Sequence, residues 1–223
     1  MLDELFAAAV TGDEKAVKQL QLDDRDAVYL RAASLYSSAV MEERATGLVV
    51  LSQWSSRAPR FVEERVALGI RGVMDPEIDV VRAGAWVLSH LNFDSDLGEA
   101  ALIGLRDFSD AEVRLAVANG LGMGAREAGV ETLVLLTRDV DDTVRDWATF
   151  VLGQFVEADT AEIREALRAR LADPTEAVRL EAIWGLARRR DAEGLAIFLA
   201  RLAGDEWVSG DRDVAEYLGL ELG

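Results

Sequence analysis

The sequence predicts an all-α protein, an α–α superhelix in which antiparallel helix pairs stack as a right-handed solenoid. Three observations point there. Half of the 223 residues are hydrophobic, yet only 7% are aromatic and 3 are proline, a composition that suits helix better than a sheet with many turns. A short Val-Arg motif recurs at intervals that fit a two-helix unit. A turn and a helix-start signal stand ahead of each copy. A repeat of fixed period defines the whole fold, so it outranks any local motif.

The copies are Val81-Arg82-Ala83-Gly84-Ala85, Val113-Arg114-Leu115-Ala116-Val117, Val144-Arg145-Asp146-Trp147-Ala148 and Val178-Arg179-Leu180-Glu181-Ala182. Leu121, Leu152 and Leu186 follow the last three copies at one common offset; Leu88 follows the first, displaced by one residue. Glu43-Arg44-Ala45-Thr46-Gly47, with Leu51, is an earlier, degenerate copy in which Glu43 replaces the valine. Successive arginines are separated by 38, 32, 31 and 34 residues.

Taken in order, residues 2–10, 13–20 and 25–38 read as three N-terminal helices, with Gly12-Asp13 as a turn. Amphipathic stretches at 59–72, 95–107, 127–138 and 159–172 are the first helices (A) of the repeats, with Val130, Leu133, Val134 and Leu136 at helical spacing in the third. Each Val-Arg segment begins a second helix (B). Asp75-Pro76 and Asp173-Pro174 predict an N-cap aspartate with proline at the first helical position. Ser109 to Glu112 and Asp173 to Glu176 have capping-box spacing, and Asp141-Asp142 opens the fourth B helix. Residues 191–203 give one more A-type helix, 204–211 a loop, and a last helix ends near Leu222. Neither helix of a pair can bury its apolar stripe alone, so stacking predicts one domain over 1–223: capping helices at 1–38, recognisable repeats at 40–190 and a C-terminal cap at 191–223.

The turn aspartate, the Val-Arg pair, the following small residue and the later leucine together resemble the HEAT repeat, over about residues 40–190. The spacing is shorter than the roughly 40–47 residues of long HEAT and armadillo units, and is similar to the compact, phycobilisome-lyase-type form. The resemblance implies that Arg82, Arg114, Arg145 and Arg179 are structural. It pairs them in a ladder with turn aspartates drawn from Asp75, Asp110, Asp141 or Asp142, and Asp173 of neighbouring repeats. Arginine suits that role because its planar fork bonds carboxylates in two places.

The chain carries 41 acidic and 24 basic residues, a net charge of −17, which repels phosphate backbones and anionic lipid and favours a basic partner. With no cysteine, disulfides, thiol nucleophiles and Cys-ligated zinc are excluded. The start, Met1-Leu2-Asp3-Glu4, is acidic where a secretory signal is basic, and no apolar run approaches a membrane span. These features predict a cytoplasmic monomer.

His90 is the sole histidine, so multi-histidine metal sites, including those of HEAT-repeat di-iron hydroxylases, are ruled out; no metal or other cofactor and no catalytic residue is expected. Candidate binding residues lie between the repeated positions. With 3.6 residues per turn, positions 0, 4 and 8 from the valine form the core stripe, and positions 3, 6 and 7 turn toward the face that is concave in HEAT solenoids. Trp147 occupies position 3, and Phe150, Trp184 and Asn119 occupy position 6 of their copies. Asp146, Glu181 and Arg188 complete a predicted concave group of aromatic and charged side chains. Trp86, at position 5, is expected in the core.

The sequence therefore predicts a non-enzymatic scaffold that binds a protein or peptide on this face. One alternative is an acidic inhibitor or immunity-type protein that captures a basic partner such as a nuclease. Another is a HEAT-like enzyme. Asp146-Trp147, Trp184 and Arg188-Arg189-Arg190 resemble the DNA-holding set of alkylpurine DNA glycosylases, although the overall acidity opposes a grip on phosphate. The short repeat also resembles that of bilin lyases, but no residue marks a chromophore site.

Overall fold

A computed structural model describes residues 1–54, 60–91, 95–122, 125–204 and 207–220. All regular structure among these residues is helical, in fourteen helices, as the composition and the repeat predict. The chain divides into two compact units, Met1–Gly120 and Leu121–Gly223.

The first unit holds α1 (Leu2–Val10), α2 (Glu14–Leu22), α3 (Asp26–Leu35), α4 (Met41–Gln53), α5 (Val62–Gly72), α6 (Ile78–Leu91), α7 (Asp96–Ile103) and α8 (Ala111–Gly120). The second holds α9 (Glu127–Leu136), α10 (Asp142–Gln154), α11 (Ala161–Arg170), α12 (Glu176–Arg188), α13 (Ala192–Leu202) and α14 (Ser209–Leu218). In each, the Val-Arg helices pack side by side, α4 on α6 on α8 and α10 on α12. Their small residues set the approach. A Cβ placed on Gly185 of α12 would lie 2.7 Å from the Cα of Gly153 on α10, so those two backbones touch where only glycine fits.

Side-chain caps start several helices where polar residues precede apolar runs. Asp13 accepts from the amides of Lys15 and Ala16, Asp110 from those of Glu112 and Val113, and Asp141 from those of Thr143 and Val144. The two Asp-Pro signals act differently from the prediction. Helices α6 and α12 begin at Ile78 and Glu176, so neither proline is the first helical residue. Asp75 and Asp173 instead accept from the amides of Glu77 and Thr175, an Asx-turn two residues on. The first A helix, α5, ends at the predicted Gly72, while α7, α9 and α11 end two to four residues before the predicted limits. At α7, for example, Leu105 and Arg106 bond the carbonyls of Leu102 and Ile103, tightening the last turn. The expected helix starting at 59 begins at Val62, and Pro59 lies outside the described residues. The last helix begins at Ser209, inside the expected loop, and ends at Leu218; Asp205, Glu206 and Leu222 lie outside the described residues.

The arginine ladder is present at Arg44, Arg82 and Arg145. Arg44 binds Asp75 through Nε and Nη2 at 2.9 and 3.0 Å. Arg82 binds Asp110 at 3.2 and 2.6 Å, and Arg145 binds Asp173 at 3.1 and 3.3 Å. Each arginine thus reaches the turn of the next repeat. A further nitrogen closes its own turn: Nη1 of Arg44, Arg114, Arg145 and Arg179 donates in every case to the carbonyls six and five residues upstream. The bond from Arg44 holds the Asp75 carboxyl below the usual carboxylate range, and Arg82 does the same for Asp110.

Two buried arginines close helix ends. Arg65 donates to the carbonyls of Leu51 and Ser52 at the end of α4, and Arg189 to those of Leu152, Gly153 and Val156 at the end of α10. Trp54, which carries no clear sequence signal, is fully buried beside Tyr29 and Phe61, with its indole N–H on the Asp23 carbonyl at 2.6 Å.

Candidate binding site

Helices α10 and α12 carry most of the predicted group. Their glycine contact, together with the Arg145–Asp173 link, fixes the two helices side by side. Asp146, Trp147 and Phe150 stand on α10 and Glu181 on α12, all half-buried. The Trp147 and Phe150 rings are 5.4 Å apart, and Phe155, at the helix end, meets Phe150 edge-on at 5.2 Å. Phe155 is 48% exposed, so it extends the aromatic patch to the surface.

The polar atoms of this group are not matched to one another. Asp146 Oδ1, Trp147 Nε1 and Glu181 Oε2 are each buried without a hydrogen-bond partner among the described residues. A buried polar atom left unpaired costs about 1–3 kcal/mol, and native structures hold few of them. Burial and the nearby Asp146 carboxylate push Glu181 up to about 7, against the side chain of Gln154, whose hydrogen bond pulls it down. Asp146 is raised as well, chiefly by burial and then by Asp142 and Asp173. Two acidic groups therefore share a low-dielectric patch, with no cation opposite their orphaned oxygens among the described residues.

The structure separates the other predicted residues from this group. Trp184 is only 9% exposed and packs in the core of the second unit with Phe198, Val214 and Ala215. Its indole N–H binds Asp211 at 2.9 Å. Phe150 holds the same repeat position on α10, but α14 covers only the tryptophan: Gly210 lies so close that a Cβ there would meet the ring at 2.4 Å. Trp184 therefore leaves the group. Arg188 lies at the end of α12 with its guanidinium 3.9 Å from the centroid of the Tyr217 ring, in a groove of about 420 Å³ that Asp159 also lines. The basic run does not act as one patch, because its middle member, Arg189, is the buried plug of α10. Asn119 belongs to the first unit, where its Oδ1 accepts from Ser89 at 2.8 Å.

Sequence reasoning missed Gln154 and Phe155, which follow the last repeat position of α10 and carry no periodic signal. It also placed Trp86 in the core. A residue five positions on is turned by about 140° from the core valine, and Trp86 is half-buried beside a groove of about 430 Å³ in the first unit. There it stacks on His90 at 5.5 Å and donates to Glu112 at 3.3 Å.

Comparison with known proteins agrees with this architecture. Residues 130–219 match the family model for HEAT repeats. Protein YibA of Escherichia coli K12 is 33% identical over 90 residues, which are 40% of this chain and 32% of YibA; the matched stretch thus spans about a third of that relative. The X-ray structure of E. coli YibA superposes with a TM-score of 0.74 at 21% identity, covering 97% of this chain and 81% of that one. A designed armadillo repeat protein, solved in complex with the peptide (KR)4, superposes with a TM-score of 0.56 at 14% identity, over 83% of this chain and 90% of that one. The shared property is the helical-repeat fold. None of the described helices is long and apolar enough to cross a membrane.

Proposed function

We propose that the chain is a non-catalytic scaffold that holds a protein or peptide partner on the B-helix side of its second unit, by taking a lysine or arginine side chain between Asp146 and Glu181. The observation that carries this reading is the set of buried, unpartnered polar atoms on Asp146, Trp147 and Glu181. A cationic side chain supplies donors to both carboxylates, and charge-assisted bonds of this kind are the strong ones. The carbonyl of the same peptide residue suits the orphaned indole N–H. The faces of Trp147 and Phe150 add cation–π attraction, and the net charge of −17 steers a basic partner inward.

The fold likeness to a designed repeat protein bound to (KR)4 supplies a probe. Titration of (KR)4 into the full chain, followed by tryptophan fluorescence or calorimetry, tests the reading. Asp146→Asn with Glu181→Gln is expected to weaken binding by about 10- to 100-fold, the equivalent of hydrogen bonds to charged groups. Equal affinity for wild type and the double variant would overturn it. Phe155 then forms the rim of the site, while Arg188, in the groove beside Tyr217, and Asn119, in the other unit, are separate contacts.

A second reading is an acidic inhibitor that captures a basic partner such as a nuclease, and the same charge supports it. Binding of a whole basic protein that Asp146→Asn with Glu181→Gln leaves intact would favour it over the peptide pocket.

A further inference from the structure

The A-helix side of the second unit carries a groove of about 790 Å³ between α9 and α11. Helix α9 is ten residues long and buries Gly129, Thr132, Leu133 and Leu136 against the core. A surface helix normally turns polar residues outward from such a stripe. Here Val130, Val134 and Leu135 lie off the stripe and line the groove, with Ile163 of α11 on the opposite wall. Leu135 is 55% exposed. A helix that is apolar on two sides has one side left to cover.

The rim of the groove identifies what covers it. Glu127, Glu131 and Glu162 line the cavity, and no lysine or arginine does among the described residues. A second copy of this chain would bring the same glutamates onto the same face, on a molecule whose net charge is again −17, which like-charge repulsion opposes. The length of α9, about 15 Å at 1.5 Å per residue, matches two to three turns of a partner helix. Helix-in-groove recognition places apolar anchors at i, i+3 or i+4, and i+7 into such a site.

We infer that this groove is a docking surface for an amphipathic helix whose apolar stripe seats on Val130, Val134 and Leu135 and whose flanks are basic, meeting Glu127, Glu131 and Glu162. The surface is separate from the pocket at Asp146 and Glu181, so the two readings stand or fall independently.

The probe is a labelled synthetic 14-residue helix with leucines at i, i+4 and i+7 and lysines flanking them. Its controls are a scramble of identical composition and a version with glutamate in place of lysine. Anisotropy is measured against the full chain at 0.15 M salt, where exposed long-range charge is largely screened. The patterned peptide is expected to bind, the glutamate version not to bind, and the scramble to bind at least tenfold more weakly. Leu135→Glu is expected to weaken the patterned peptide at least tenfold. Glu127→Lys with Glu131→Lys, both at exposed positions, should do the same if Leu135→Glu unfolds. Equal binding of patterned and scrambled peptides would overturn the docking surface, since bulk charge then accounts for the signal. Loss of binding in Asp146→Asn with Glu181→Gln, but not in the groove variants, would equally overturn it by moving the peptide to the other side of the unit.

Discussion

Arg145 on α10 and Asp173 in the turn before α12 are joined through both forks of the guanidinium, at 3.1 and 3.3 Å, with the carboxylate almost wholly enclosed. The remaining Nη1 closes the turn at Asp139 and Val140. One side chain therefore shapes its own repeat and fastens it to the next.

Replacing Arg145 with alanine leaves the buried carboxylate with Arg170 and the Thr175 amide but without its two-pronged partner. The expected loss of stability is about 3–5 kcal/mol, the usual result of removing one partner of a buried pair. Arg145→Lys should recover less than half, because a point charge cannot fill both forks. Urea unfolding of the three proteins checks both values; a loss below about 1 kcal/mol for Arg145→Ala would contradict the ladder's structural role.

Glu181 gives a pH dependence of opposite sign to the ladder aspartates. Its folded value of about 7 lies above the ordinary 4.5, so the native state holds a proton that the unfolded chain has released. Its contribution is intact below about pH 4.5 and is lost as pH rises to about 7, by up to roughly 3 kcal/mol. Glu181→Gln should flatten that slope and stabilise the protein at pH 8. Asp75 and Asp110, held low by Arg44 and Arg82, act the other way: their contribution is present above the ordinary aspartate range and falls away in acid. Melting temperatures of wild type and Glu181→Gln at pH 5 and pH 8 provide the test. Equal pH slopes in the two proteins would remove Glu181 as the source.

The two tryptophans on neighbouring B helices should behave differently. Trp184→Ala empties a buried site in the core of the second unit, with an expected loss of about 3–5 kcal/mol. Trp147→Ala removes a half-buried ring with no hydrogen bond, so thermal stability should change by no more than about 1–2 kcal/mol, while (KR)4 affinity falls. Calorimetric unfolding and peptide titration of both variants decide the matter; equal destabilisation would place Trp147 in the core.

Gly185→Ala would drive a methyl group to 2.7 Å from the Gly153 backbone. Separation of α10 and α12 is the only relief, with an expected loss of about 1–3 kcal/mol or more. Since the same contact sets the spacing of Asp146 and Glu181, (KR)4 binding should weaken in parallel; unchanged stability and unchanged affinity together would contradict it.

The sequence made the architecture legible because a repeat states one piece of physics several times over. Val113, Val144 and Val178 are all fully buried, and the ladder follows from arginines and aspartates that recur with the repeat. The site was only half legible. Asp146, Trp147, Phe150 and Glu181 are brought together because they share a flank of two adjacent helices, which helical geometry predicts. Trp184 could not be sorted from Phe150 by that geometry, because what buries it is α14, some 25 residues further on in a part of the chain with no repeat signal. Trp86 failed for a plainer reason: its register position turns it off the stripe. The orphaned atoms are invisible in sequence, since the lack of a partner is a property of three dimensions.

The cover that α14 lays over Trp184 has a meaning for how such arrays change. A ring at one register is a half-buried handle on α10 and a sealed plug on α12, and nothing in its own helix distinguishes the two. Rank in the array, rather than residue type, assigns the job. Splicing another unit between α12 and α14 would convert Trp184 from plug to handle without altering a single letter of its helix. Exposed aromatic surface could thus be lengthened by duplication alone, provided that Asp211 and Gly210 travel with the terminal helix to seal whichever ring comes last.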